Sequence, residues 1–108
     1  MRTVFVVVSL AALWMASDAA LAADPPVGPR VLIKDFVFAP MDVTTHVGAT
    51  VTWVNRDDEA HTIVSDTGLF RSGALDTDET YTFKFDKPGT YRVFCSLHPQ
   101  MKATIIVH

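Results

Sequence analysis

The chain has 108 residues, with nine Lys and Arg against twelve Asp and Glu, four His and a single Cys. That length allows one domain. A net charge of −3 argues against a nucleic-acid partner, and one thiol cannot close an internal disulfide.

Residues 1–22 read as a secretory signal peptide. Arg2 gives a positive start, residues 4–15 are apolar apart from Ser9, and Ala20-Leu21-Ala22 is an A-x-A cleavage site. The apolar run is short for a bilayer span and no stop-transfer pattern follows it. The mature chain is therefore expected in a bacterial periplasm, as a monomer with no membrane span after cleavage. Loss of Arg2 and Asp18 keeps the charge at −3 and leaves about 86 residues. A core of that size gains from a bound metal as a staple. A lone thiol in an oxidising compartment also needs an occupant.

Residues 23–29 form a flexible lead-in rich in Pro and Gly. From residue 30 to residue 108 the chain reads as one domain of short strands divided by turn signals, with no helical period. Residues 31–33 and 36–38 are the first apolar segments, ending at Pro40. Residues 43–47 form a strand closed by Gly48. Residues 50–55 alternate with period two and put Val51, Trp53 and Asn55 on one face. Residues 56–59 are a charged loop, 62–65 begin another strand, and 66–68 turn. Residues 70–75 are irregular, with Gly73 expected at a bulge or tight passage. Residues 80–85 and 90–95 alternate again around a Pro88-Gly89 turn, and residues 103–107 close the domain. Seven or eight strands with regular turns predict an all-β sandwich. On the strand that ends at Cys95, the alternation places Tyr91, Val93 and Cys95 together, so the thiol points into one end of the core.

Cys95, His98 and Met101 follow as C-x2-H-x2-M, and His61 stands upstream in Glu59-Ala60-His61-Thr62. Two imidazoles and a thiolate suit Cu, Zn or Ni, and a thioether adds a soft preference. A structural zinc site more often uses two or more thiolates. A His2Cys trigonal set with a weak axial Met is the pattern of blue-copper electron-transfer sites. His46 and His108 read as exposed and outside this set. Taken singly, a buried Cys, a Met after a loop or a His before a strand is commonly ordinary packing. All of them together in an exported chain with one Cys point to a metal.

Several segments, in order, resemble the cupredoxins, the small blue-copper proteins, and within them the amicyanin, plastocyanin and pseudoazurin branch. They are residues 36–40, 48–55, His61-Thr62, 70–73, 88–91 and 95–101. The resemblance implies a Greek-key β-sandwich of the cupredoxin type. It implies one type 1 copper, with His61, Cys95 and His98 equatorial and Met101 axial. Asn55 and Ser96 then resemble residues that pin the ligand loops by hydrogen bonds. The implied function is an amicyanin-like mobile electron carrier cycling Cu(I) and Cu(II). The implied partners are a c-type cytochrome and an amine or other periplasmic dehydrogenase. The electron is expected to leave through the His98 ring edge, inside a small apolar docking patch of Leu97, Pro99 and Met41.

Three positions depart from the family pattern. Leu97 stands where Pro is common and keeps an N–H; aimed at the Cys95 sulfur, it would raise the reduction potential. Ala60 replaces a Pro before the first His, and Gln100 replaces an apolar residue. Asp57, Asp58 and Glu59 lie just before His61 and read as a solvated loop, or on the functional reading as an acidic surface that steers a basic partner. An oxidase or nitrite reductase would place histidines beside the Cys, where Phe94 and Ser96 stand. The alternative of a copper-binding carrier or buffer sits poorly with a mature chain whose only methionines are Met41 and Met101.

Overall fold

The computed structural model describes residues 2–5 and 28–108. Most of the expected signal peptide and residues 23–27 of the lead-in lie outside the described residues. Among the described residues, no helix is long and apolar enough to cross a membrane. Gly28 and Pro29 already pack on the domain: a methyl group at Gly28 would overlap the Thr50 carbonyl, and Pro29 O accepts from Thr52 N–H at 3.0 Å.

Eight strands follow: β1 (Arg30–Lys34), β2 (Val37–Ala39), β3 (Asp42–Thr45), β4 (Thr50–Asn55), β5 (Val64–Ser65), β6 (Thr80–Lys84), β7 (Gly89–Phe94) and β8 (Lys102–Val107). They form two four-stranded sheets, β2-β1-β4-β6 and β3-β8-β7-β5. The expected all-β sandwich is the observed architecture. Period-two patterning decides the faces: β1 buries Val31 and Ile33, and β8 buries Ala103, Ile105 and Val107. Trp53, Phe38, Phe85, Ile63 and Val93 fill the space between the sheets.

Two pairings position the functional end. β7 and β8 are antiparallel, with Phe94 opposite Lys102, so residues 95–101 form the loop between them. β5 pairs with β7 through Val64 and Phe94. That brings the segment after His61 alongside the strand that carries Cys95.

The structure differs from the sequence reading at two places and narrows it at a third. Phe36 is not a strand residue; with Asp35 it makes the β1–β2 turn, at φ of 59° and 53°. Such angles are uncommon for bulky residues and need outside support. The strand expected over residues 43–47 ends at Thr45, because the chain turns at Gly48, which has φ of 90°. Gly73 is not a tight passage, since a methyl group there would meet nothing within 4 Å, but it lies in the bulge expected as the alternative. Ser72 N–H donates to Ile63 O while His61 and Leu75 exchange two bonds, so the 72–75 side carries one residue more than the 61–63 side. The irregular 70–75 segment is tied instead by isolated bridges, Val64 with Arg71 and His61 with Leu75.

Candidate metal centre

Cys95 follows β7 directly and Met101 precedes β8 directly. Cys95 N–H donates to Met101 O at 3.1 Å, which extends the ladder by one step. Two turns then shape the loop: His98 N–H donates to Cys95 O at 3.3 Å, and Met101 N–H to His98 O at 2.9 Å. His61 is fixed by exchanging two backbone bonds with Leu75, at 3.1 and 2.8 Å. A ligand on each of these rigid supports needs little rearrangement to meet the others.

The side chains converge. Cys95 Sγ lies 3.7 Å from His61 Nδ1 and 3.7 Å from His98 Nδ1, and the two nitrogens are 3.2 Å apart. A point equidistant from the three atoms lies about 2.1 Å from each. Metal–imidazole bonds run about 2.0–2.1 Å and metal–thiolate bonds about 2.3 Å, so the triangle fits one ion. His61 and Cys95 are fully buried, whereas His98 is half-buried. Met101 is buried in the adjoining core.

Asp57 orients the first imidazole. Its Oδ2 is 2.8 Å from His61 Nε2. With Nε2 carrying the proton and donating it to the carboxylate, Nδ1 keeps its lone pair for a metal. The same carboxylate accepts from Asp35 N–H at 2.6 Å and Phe36 N–H at 3.0 Å. Burial alone would raise the Asp57 pKa. The hydrogen bonds from Phe36, Asp35 and His61 outweigh it and hold the group below its ordinary 3.8. The expectation that Asp57 belongs to an exposed steering cluster is therefore wrong: it is buried, because a carboxylate with three donors is satisfied inside the fold. Asp58 and Glu59 are exposed.

Asn55 lies on β4 behind the loop. Its Nδ2 donates to Glu59 O and Leu75 O, each at 2.8 Å, and its Oδ1 accepts from Asp57 N–H at 2.9 Å. Ser96 joins the two ligand segments through Thr62. Ser96 N–H donates to Thr62 Oγ1 at 2.7 Å, and the two hydroxyls are 2.7 Å apart. Thr62 also gives the sulfur its backbone hydrogen bond, N–H to Sγ at 3.3 Å, with its hydroxyl at 3.7 Å. The bond expected from Leu97 N–H to the sulfur is not among those the described residues form. The turn closed by His98 N–H on Cys95 O leaves Leu97 at its third position, exposed.

Around the half-buried His98, Leu97 and Pro99 are exposed. Met41 is exposed and lines an open cleft of about 580 Å³ with Pro99 and Phe94. Phe36 reaches further in: its ring stands edge-on to His61 at 5.2 Å and to His98 at 4.9 Å between centroids.

Three of these roles escape the sequence reading. Asp57 stands four residues before a candidate ligand, a spacing that a search for carboxylate–imidazole pairs would have found. Phe36 and Thr62 carry no comparable local signal.

Comparisons with known proteins follow the same line. A family model described as a cupredoxin-like domain matches residues 5–107. Amicyanin-alpha of Methylorubrum extorquens is 32% identical over 125 residues, covering 99% of each chain. Plastocyanin of Scenedesmus fuscus is 43% identical over 84 residues, covering 66% of this chain and 86% of that one. The crystal structure of amicyanin from Paracoccus versutus superposes with a TM-score of 0.72 at 30% identity, covering 81% of this chain and 87% of that one. With its His–Cys–His centre at the end of an eight-stranded sandwich, the chain belongs to the cupredoxin family.

Proposed function

We propose that this chain is an exported, mobile one-electron carrier. In this reading His61, Cys95 and His98 would hold one type 1 copper ion, and the Met101 thioether would add a weak fourth donor. The observation that carries it is the triangle of two imidazole nitrogens and one thiol sulfur around a single buried point. Bound there, copper supplies a one-electron couple between Cu(I) and Cu(II).

The chain's own residues do the rest. Asp57 fixes the tautomer and plane of His61. Thr62 and Ser96 lock the two ligand segments together, so the ligands keep one geometry through both oxidation states. The buried thiolate is kept from other oxidants by the core around it. The His98 edge is the outlet, and Phe36, Leu97, Pro99 and Met41 give the apolar rim that a weak redox encounter needs. Asp58 and Glu59 are the acids left to steer a basic partner.

Residues 1–22 are the signal that sends the chain to the periplasm, and residues 30–108 are the carrier domain. A c-type cytochrome suits the acidic rim as acceptor. An amine dehydrogenase as donor rests on the short C-x2-H-P-x-M loop. A copper carrier or buffer would share the ligands but would need a site that releases its ion, and burial of His61 and Cys95 disfavours that.

The test is spectroscopic and electrochemical. Copper-loaded protein should show the intense visible band of a copper–thiolate bond and a reversible one-electron wave, and Cys95→Ser should lose both. A band with no reversible wave, and rapid loss of copper to a chelator, would favour the carrier or buffer reading. Copper uptake unaffected by Cys95→Ser would defeat the site.

A further inference from the structure

The two histidines outside the centre are also brought together. β3 and β8 pair in parallel with Thr45 opposite Val107, and His46 and His108 come one residue later on each. Both backbones are held there. His108 N–H donates to Thr45 O at 3.0 Å, and Val47 N–H to His108 O at 3.0 Å. Registered neighbours on paired strands present their side chains to one face. The ring centroids are accordingly 4.6 Å apart, with the planes at 64°. The pair that converges on Cys95, His61 and His98, has centroids 4.9 Å apart and planes at 59°. The second pair therefore nearly repeats the mutual placement of the first, but both of its rings are exposed.

From this we propose that His46 and His108 form a second metal-binding site, for a borderline divalent ion such as Cu(II), Ni(II) or Zn(II). Imidazole suits these ions, and the absence of sulfur from this pair gives no preference for Cu(I). At metal–nitrogen distances of about 2.0–2.1 Å, two imidazoles on neighbouring positions of one ion hold their ring centres about 4.5–5 Å apart. The observed separation lies in that span, so the ion is accepted with only ring rotation. The strands hold the two backbones in place beforehand, which lowers the ordering cost of chelation. The pair lies past the end of β8 remote from Met101, and six strand residues put it about 20 Å from the Cys95 end. Its ion would be a separate occupant, independent of the electron-carrying centre. Two protein ligands leave coordination positions to water, so the site exchanges its ion with solvent and does not staple the fold.

Untagged protein already loaded with copper is titrated with zinc sulfate by calorimetry. The expected result is one zinc per chain, lost in both His46→Asn and His108→Asn, with the copper–thiolate absorption unchanged in each. No zinc uptake by the parent, or equal uptake in either variant, overturns the proposal. If the parent shows no copper–thiolate band, that outcome bears on the Cys95 centre alone. The same zinc titration on Cys95→Ser/His98→Asn protein, which leaves His61 as the only imidazole of that centre, then reads the His46–His108 pair, with the same two results deciding.

Discussion

The Asp57 carboxylate links the His61 imidazole to the turn that carries Phe36. One oxygen, Oδ2, takes both His61 Nε2 and Phe36 N–H, and the other takes Asp35 N–H. An amide offers a single acceptor oxygen, so Asp57→Asn leaves at least one part-buried donor unpaired. The expected cost is about 1–3 kcal/mol of stability, read by chemical denaturation of the metal-free protein. Losing a negative charge beside a copper ligand also disfavours Cu(II), so voltammetry should show a higher reduction potential. The pH dependence has a definite sign. The folded-state pKa of Asp57 is lowered below 3.8, so its contribution is present above that value and is lost as pH falls further. The parent should therefore lose this contribution only below pH 3.8, and Asp57→Asn should lack that part of the acid limb.

Tyr81 sets an alkaline counterpart. Burial raises its pKa above 10.0, so the folded state keeps the phenol neutral where the unfolded chain ionises it. Its contribution is intact below pH 10.0 and is lost as pH rises through the folded-state value. Tyr81→Phe keeps a ring beside Trp53 and Phe70, at 5.9 and 6.2 Å between centroids, and removes the ionisable group. The stability difference between variant and parent should be flat at neutral pH and should move in favour of Tyr81→Phe above pH 10.0. Parallel curves through that range would refute the assignment.

How much of this site is written locally explains what the sequence shows. Cys95, His98 and Met101 lie within one loop, so their spacing is legible directly. The faces of β4, β7 and β8 follow from period-two alternation, which needs no knowledge of neighbours. Asp57 was obscured because it stands among Asp58 and Glu59 and has the look of a solvated acid. Its burial depends on the N–H groups of Asp35 and Phe36, about twenty residues away in sequence. Phe36 adjoins Val37 and Phe38 and so reads as strand; its turn lacks the Asn-Gly signal that left-handed angles favour. Thr62 meets Cys95 only after β5 has paired with β7.

Thr62 is the joint between the two ligand segments. Thr62→Val keeps the shape and the backbone N–H on the sulfur but removes the hydroxyl that accepts from Ser96 N–H. The unpaired donor is part-buried, and the expected loss is about 1 kcal/mol, at the low end for an orphaned group. Removing the hydroxyl's own contact with the sulfur strengthens electron donation to Cu(II), so the reduction potential should fall. Thr62→Ser, which keeps the hydroxyl, should restore both values. A potential unchanged in Thr62→Val, alongside a measurable stability loss, would confine Thr62 to a structural role.

Phe36 covers both imidazoles from the solvent side, edge-on to each. Phe36→Ala keeps a β-carbon, so the strained φ at this turn is unchanged and only the ring is lost. Phe36 is 42% exposed, so the stability cost should stay well below the ~3–5 kcal/mol of a buried Phe→Ala change. Each edge contact contributes about 0.5–1.5 kcal/mol beyond area. Holding His98 is what keeps the half-buried ligand in place when solvent competes for the ion. Copper release to a strong chelator should therefore speed up by about 2–10-fold in Phe36→Ala. Phe36→Leu fills part of the same space without the aromatic edge and should lie between the two. Release rates equal in parent and Phe36→Ala would show that the ring only rims the docking surface. A faster rate with an unchanged unfolding midpoint would place its effect on the ligands themselves.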